Sequence, residues 1–141
     1  MKKKIFVDSD VVISSLISEK GAAYYLINEQ NLNFVISNIS QLELKNVVDR
    51  LNLSQARLKK LIKEKMRTVK LSGDLDKVKK KFKDYASDPN DVHIVAGAAK
   101  AKAKFLLTYN VRDFNRQKIN EDFSIVVLTP AQYLQYLRSL D

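Results

Sequence analysis

The sequence predicts a three-layer α/β/α domain built on a mainly parallel central sheet. Three observations lead there. Four short apolar runs, KKIFVDS, LNFVIS, KFLLT and SIVVL, read as strands. Between them, apolar residues recur at helical rather than alternating spacing. The composition, 45% hydrophobic over 141 residues with only three Gly and two Pro, supplies a core for one ordinary domain over residues 1–141. Strands separated by helices pair in parallel, because each connection must cross back over the sheet.

The elements follow in order. KKIFVDS is a buried strand that ends in an acidic loop, and a helix runs from about Val11 to Asn28, loosened near Gly21. LNFVIS is the second strand. Ile39, Leu42, Val47, Val48 and Leu51 carry helical spacing over residues 39–51. Ser54 is placed to cap a basic helix from Gln55 to about Lys70. After Ser72-Gly73 the run LDKVKKKFKDY predicts a shorter helix. SDPND is a helix start, with Asp88 as cap and Pro89 at the first helical position. The helix VHIVAGAAKAKA follows, then the strand KFLLT and an acidic loop to Phe114. SIVVL is the last strand, and Thr129-Pro130 opens the final helix AQYLQYLRSL.

Charge is unevenly placed. Residues 57–83 hold twelve Lys/Arg against three Asp/Glu, an excess equal to the whole net charge of +9, so the rest of the chain sums to zero. A local excess of this kind attracts phosphate backbones or an acidic partner. No cysteine is present, which excludes disulfides, thiol catalysis and cysteine-type zinc sites and fits a reducing cytoplasm. The lysines and apolar residues at the start imitate a signal peptide, but Asp8 and Asp10 interrupt the apolar run. No stretch approaches the roughly 20 apolar residues of a membrane span. The expectation is a soluble, cytoplasmic protein.

Four acidic stations carry the chemistry. They are Asp8 with Asp10, Glu43, Asp91 with Asp88, and the Asn110/Asp113 pair. Each falls at a strand end or a helix start, and ligands of parallel sheets bind beyond the carboxyl ends of strands. Carboxylates gathered in one pocket repel unless a cation joins them, and oxygen-only ligands select Mg²⁺ or Mn²⁺. Glu43 falls within the apolar stripe between Ile39 and Val47, where a carboxylate needs a partner. Asp91 shares a helix face with Ile94, Val95 and Ala98. Asp88 is better explained as a cap. His93, the only histidine, reads as a hydrogen-bonded structural residue among Ile94 and Val95.

These segments together resemble the PIN-domain nucleases, in particular the toxin components of bacterial and archaeal toxin–antitoxin pairs. The strand with DSDVVISSLISEKG, the S-x-x-E-L helix around Glu43, DPNDVHI and LLTYNVRDF match in order over residues 4–130. The resemblance implies a PIN-like fold and hydrolysis of RNA phosphodiester bonds with one or two Mg²⁺ or Mn²⁺ ions. It assigns Asp8, Glu43 and Asp91 to the metal, with either Asn110 or Asp113 at the fourth acidic position. Ser9 would tune Asp8 by a hydrogen bond, and Asp10 stands where the family commonly has Asn. The basic segment, including Arg57, Lys60, Lys63, Arg67 and Lys80, would track RNA. A cognate antitoxin and a homodimer are the implied protein partners. Two alternatives stand beside this reading. One is an inactive PIN-like module that binds RNA or protein. The other is a haloacid-dehalogenase-type phosphatase, for which VDSDVVI would supply the nucleophile and SDPND the late acidic motif; that motif requires an apolar strand before it.

Overall fold

The computed structural model describes residues 3–29 and 31–140; Met1, Lys2, Gln30 and Asp141, which complete the domain expected over 1–141, lie outside the described residues. Five strands form one parallel sheet: β1 (Lys4–Val7), β2 (Asn33–Ser37), β3 (Met66–Val69), β4 (Phe105–Leu107) and β5 (Val126–Leu128), in the order β3-β2-β1-β4-β5. Eight helices connect or follow them among the described residues: α1 (Ser9–Ile17), α2 (Ala22–Ile27), α3 (Asn38–Arg50), α4 (Gln55–Lys65), α5 (Leu75–Lys81), α6 (Val92–Ala101), α7 (Arg116–Phe123) and α8 (Pro130–Ser139).

Both sheet faces are buried, and alternate residues of each strand serve opposite layers. Ile5, Val7, Phe34, Ile36, Phe105 and Leu107 point into one core with Leu16, Leu44, Leu58 and Tyr133 from α1, α3, α4 and α8. Phe6, Val35, Leu106 and Val127 point into the other, against Val92, Val95 and Ala98 of α6 and Ile119 of α7. The three-layer α/β/α expectation therefore holds, and the sheet is parallel throughout the described residues.

Two local expectations need correction. The basic helix ends at Lys65 rather than Lys70, and Met66–Val69 forms an edge strand paired with Phe34–Ser37. Only Met66 in that strand is buried, so it lacks the apolar run that marks the interior strands. The long first helix is two helices, with Ser18 ending α1 and Gly21 capping α2. Residues 116–123, which carry no assignment from the sequence, form α7, capped by the Asn115 side chain. The caps at Ser54, Asp88 and Thr129 form as expected, the last as a reciprocal capping box with Gln132.

α6 lies close on the sheet because Gly97 has no side chain. A Cβ there would stand 2.6 Å from Phe6 Cζ and 2.8 Å from Cε2, and Phe6 is fully buried in the central strand. Replacing Gly97 by Ala gains about 1 kcal/mol of helix propensity but forces an overpacked contact that costs about 1–3 kcal/mol. The expected result is net destabilisation of Gly97→Ala in urea unfolding; an unchanged or higher midpoint would refute the close-packing account.

Candidate active site at the carboxyl edge of the sheet

The strand order reverses at β1. The chain moves outward to β2 and β3 on one side, then returns to place β4 and β5 on the other. Helices leave such a point toward opposite faces, so a crevice opens beyond the carboxyl ends of β1 and β4. Asp8 follows β1 directly, and Thr108 to Asn110 follow β4. The Asp8 N–H donates to Leu107 O at 2.9 Å, which extends the β1–β4 ladder to the first acidic residue.

Asp8 caps α1, and both its oxygens are engaged. Oδ1 accepts from the Ser9 N–H at 2.7 Å and Oδ2 from the Thr108 hydroxyl at 2.9 Å. Asp10 is held from the same side. Its Oδ2 accepts from the Tyr109 N–H and from Asn110 Nδ2, each at 3.1 Å, while Oδ1 is buried without a protein partner. Asp91 ends a 3₁₀ turn, Pro89–Asp91, that Asp88 caps by accepting from the Asn90 N–H. Asp113 lies in a second such turn, Val111–Asp113, and its carbonyl accepts from Ser87 N–H and Oγ–H, which ties the third and fourth stations together.

The electrostatics show that these carboxylates share one neighbourhood. Burial, then the charge of Asp10, raises Asp8 from 3.8 to about 7, against the lowering effect of its Thr108 and Ser9 hydrogen bonds; Glu43 adds a smaller push upward. Asp10 is also raised, chiefly by burial. Asp91 rises to about 6 through burial and the charges of Asp8, Asp88 and Asp113, partly offset by His93. Like charges packed in a low-dielectric crevice disfavour their own ionisation.

Glu43 differs from its sequence reading. The buried face of α3 is Ser40, Leu44 and Val48, whereas Leu42 is 63% exposed and Glu43 43% exposed. Glu43 therefore stands at the rim of the crevice and does not face the core. Its Oε1 lies 2.9 Å from Nε2 of His93, which is 4% exposed on α6. His93 is buried, and its partner is the second acidic station. Ser9 also acts differently from the expectation: its backbone N–H, and not its hydroxyl, bonds Asp8, and its Oγ is buried without a partner.

Asp8, Glu43 and Asp91 are thus brought to one edge, with Asp10, Asn110 and Asp113 around them. Among the described residues, no three His, Asp or Glu side chains already converge as a metal-holding group. Thr108, the backbone of Tyr109 and the His93–Glu43 link escaped the sequence reading; only the threonine left a trace, as the polar residue ending the run FLLT. The basic residues are scattered. Arg57 donates Nη1–H to Leu16 O at 3.2 Å. Lys63 and Arg67 line a depression of about 630 Å³ with Lys4, Asn33 and Phe34, at the strand starts opposite the carboxylates. Lys60 and Lys80 are exposed on α4 and α5.

A parallel α/β domain with buried carboxylates at its switch point is the class that this geometry defines. The chain belongs to the PIN-domain family: the PIN domain model matches residues 4–112. Solved structures give the same fold. A toxin–antitoxin complex from Klebsiella pneumoniae matches at 18% identity and TM-score 0.63, over 89% of this chain and 97% of that one. VapBC2 from Rickettsia felis, bound to a DNA fragment from its promoter, matches at 16% identity and TM-score 0.64, over 88% and 96%. No curated protein matches in sequence. The phosphatase alternative loses its basis, because SDPND follows the 3₁₀ turn Lys83–Tyr85 and a single bridge at Ala86, not an apolar strand.

The raised carboxyl of Asp8 makes stability depend on pH in a fixed direction. The folded state holds its proton more tightly than the unfolded state does, so metal-free stability falls as pH rises from about 4 to about 7. Every tenfold difference in proton affinity between the two states is worth about 1.4 kcal/mol. Metal-free Asp8→Asn is therefore expected to melt several degrees above wild type at pH 8, with the difference closing near pH 4. Equal melting temperatures at pH 8 would contradict the strained carboxylate.

Proposed function

We propose that this chain is a Mg²⁺- or Mn²⁺-dependent endoribonuclease and the toxin component of a toxin–antitoxin pair. The observation that carries the reading is the crowding of Asp8, Asp10 and Asp91 at the switch point, each with its carboxyl raised by burial and by its acidic neighbours. The donor set fits a hard divalent ion. It consists of carboxylate oxygens, includes a buried Asp10 Oδ1 with no protein partner, and becomes less strained when a cation joins it. PIN-family membership supports the same chemistry.

Asp8, Glu43 and Asp91 would hold the ion, with Asp10 completing the acidic set. When bound, a divalent ion supplies an activated water and charge stabilisation for a departing oxygen. The chain's own residues supply position. Thr108 and the Ser9 N–H fix the Asp8 carboxylate, His93 anchors Glu43 at the rim, and the Tyr109 N–H with the Asn110 amide orients Asp10. The amide also bears on which residue contributes charge at the fourth station. Asn110 turns its Nδ2 to Asp10, so in this reading the carboxylate at that place is Asp10, with Asp113 acting through its charge on Asp91. The basic segment would draw RNA to the protein through its long-range field. A cognate antitoxin is the proposed protein partner, supported by the toxin–antitoxin complexes that share the fold. A homodimer is proposed on the resemblance alone. No described helix is long and apolar enough to cross a membrane. The cytoplasm is the proposed place of action, because the RNA substrate of this reading is found there.

The purified protein should cleave single-stranded RNA when Mn²⁺ or Mg²⁺ is supplied, and Asp91→Asn should reduce the rate at least about 100-fold while leaving the circular dichroism spectrum unchanged. Metal binding with no cleavage of any RNA tested would favour the inactive module instead. A second experiment addresses the fourth station. Asp10→Asn and Asn110→Asp should each lower cleavage, whereas the two together, which exchange acid and amide across a 3.1 Å contact, should recover part of it. Additive losses would show that Asp10 and Asn110 do not act as a pair.

A further inference from the structure

One cavity among the described residues lies away from the carboxylates. It is a cleft of about 690 Å³ between α5 and α6, in the roughly 300–1,000 Å³ range of ligand sites. Its inner wall is apolar and flat: Ala96 and Ala99, one turn apart on α6, leave room beside Val78 and the ring of Phe82. Phe82 stacks on Phe123 at 5.9 Å and an interplanar angle of 27°, and tilts against Tyr85 at 5.6 Å, so the rings back one another. Lys77, Lys81 and Lys100 also line the cleft, with Lys81 Nζ over the Phe82 ring at 5.7 Å from its centroid, and Asp74 is the single acid in the lining. The Asp74 carboxylate already caps α5 by accepting from the Asp76 N–H.

The cleft is joined to the acidic edge at two places. Its rim segment, Leu71 to Gly73, is pinned by Asn38, the first residue of α3, which donates to Leu71 O at 3.1 Å and accepts from the Leu71 N–H at 2.8 Å. Gly73 makes the turn at φ 78°, a left-handed conformation that favours glycine. Lys79 of α5 donates to Asn90 at 3.3 Å, beside Asp91.

We infer that this cleft is a subsite for single-stranded RNA, in which a base outside the scissile bond enters against Phe82 while Lys77, Lys81 and Lys100 pair with the flanking phosphates. The inference rests on the ribonuclease reading for the identity of the strand, and on the cleft alone for its position. A flat apolar wall with an aromatic ring, ringed by cations, has the makeup of sequence-tolerant single-strand binding sites, where bases stack and lysines follow the backbone. An acidic peptide would satisfy the lysines but would leave the flat wall without a planar group.

The test uses a fluorescein-labelled RNA of about 12 nucleotides and the full chain carrying Asp8→Asn, so that binding is read without cleavage. Lys77→Ala/Lys81→Ala/Lys100→Ala should weaken binding by about tenfold or more, with a salt dependence shallower by about 2 in log–log slope. Phe82→Ala should weaken binding too, and Phe82→Trp should restore it. The chain has no tryptophan of its own, so quenching of the new fluorescence on adding RNA reports stacking directly. Unchanged affinity and slope with no quenching would overturn the proposal, as would loss of polyglutamate binding with RNA binding preserved. Binding through the cleft by a wild-type protein that cuts no RNA would sustain the subsite and refute the nuclease reading.

Discussion

Everything at the functional edge depends on the reversal of strand order at β1. Parallel strands send their connections to one face or the other, and only at the reversal do two neighbouring connections part. Asp8 and Thr108 are a hundred residues apart in sequence, yet they meet there just past Val7–Leu107, the last pair of the β1–β4 ladder. The same parting leaves Asp10 and Asp91 room to approach without covering one another. A crevice formed by topology is rigid, because moving it would require breaking a ladder that is buried on both faces.

That rigidity explains why the acids can be crowded. Four neutral donors, the Ser9 and Tyr109 amides, the Thr108 hydroxyl and the Asn110 amide, hold two carboxylates that burial and mutual repulsion would otherwise drive to protonate. No lysine or arginine bonds either of them in these contacts. A cationic side chain would relieve the strain permanently and leave little reason for a divalent ion to bind. Neutral donors fix position and preserve the demand for charge. The rim is assembled differently. Glu43 comes from the α3 layer and His93 from the α6 layer, so their 2.9 Å contact closes the crevice over the end of the sheet.

What the sequence disclosed follows from the range of each interaction. Interior strands such as IFV and FLL are apolar on both faces and announce themselves without any partner. The edge strand Met66–Val69 does not, since one buried side chain, Met66, is no pattern, and its strand character comes from pairing with β2. Asp8 and Asp91 were legible because strand ends and helix starts are local signals. The rim placement of Glu43 was not, because helical periodicity gives a face but not the depth to which a neighbouring layer covers it. The hydroxyl of Thr108 is marked in the sequence only as the polar end of the run FLLT, and the backbone of Tyr109 carries no mark; both are recruited by where the fold puts them.

On the proposed reading, the amide at the fourth station is a rearrangement and not a defect. Read in isolation, an amide at position 110 removes a carboxylate from an acidic site. In space, that amide donates to an acid at position 10, whose other oxygen is buried and free of protein partners. A carboxylate at both positions would place two like charges about 3 Å apart in a low-dielectric crevice, and one of them would remain protonated. An amide at both would leave this contact without charge. One acid and one amide is the combination that keeps a full negative charge and a fixed orientation together, and the contact is symmetric enough that either position could carry either group. The number of carboxylates facing the crevice, more than the position that each occupies along the chain, then decides what the site can hold.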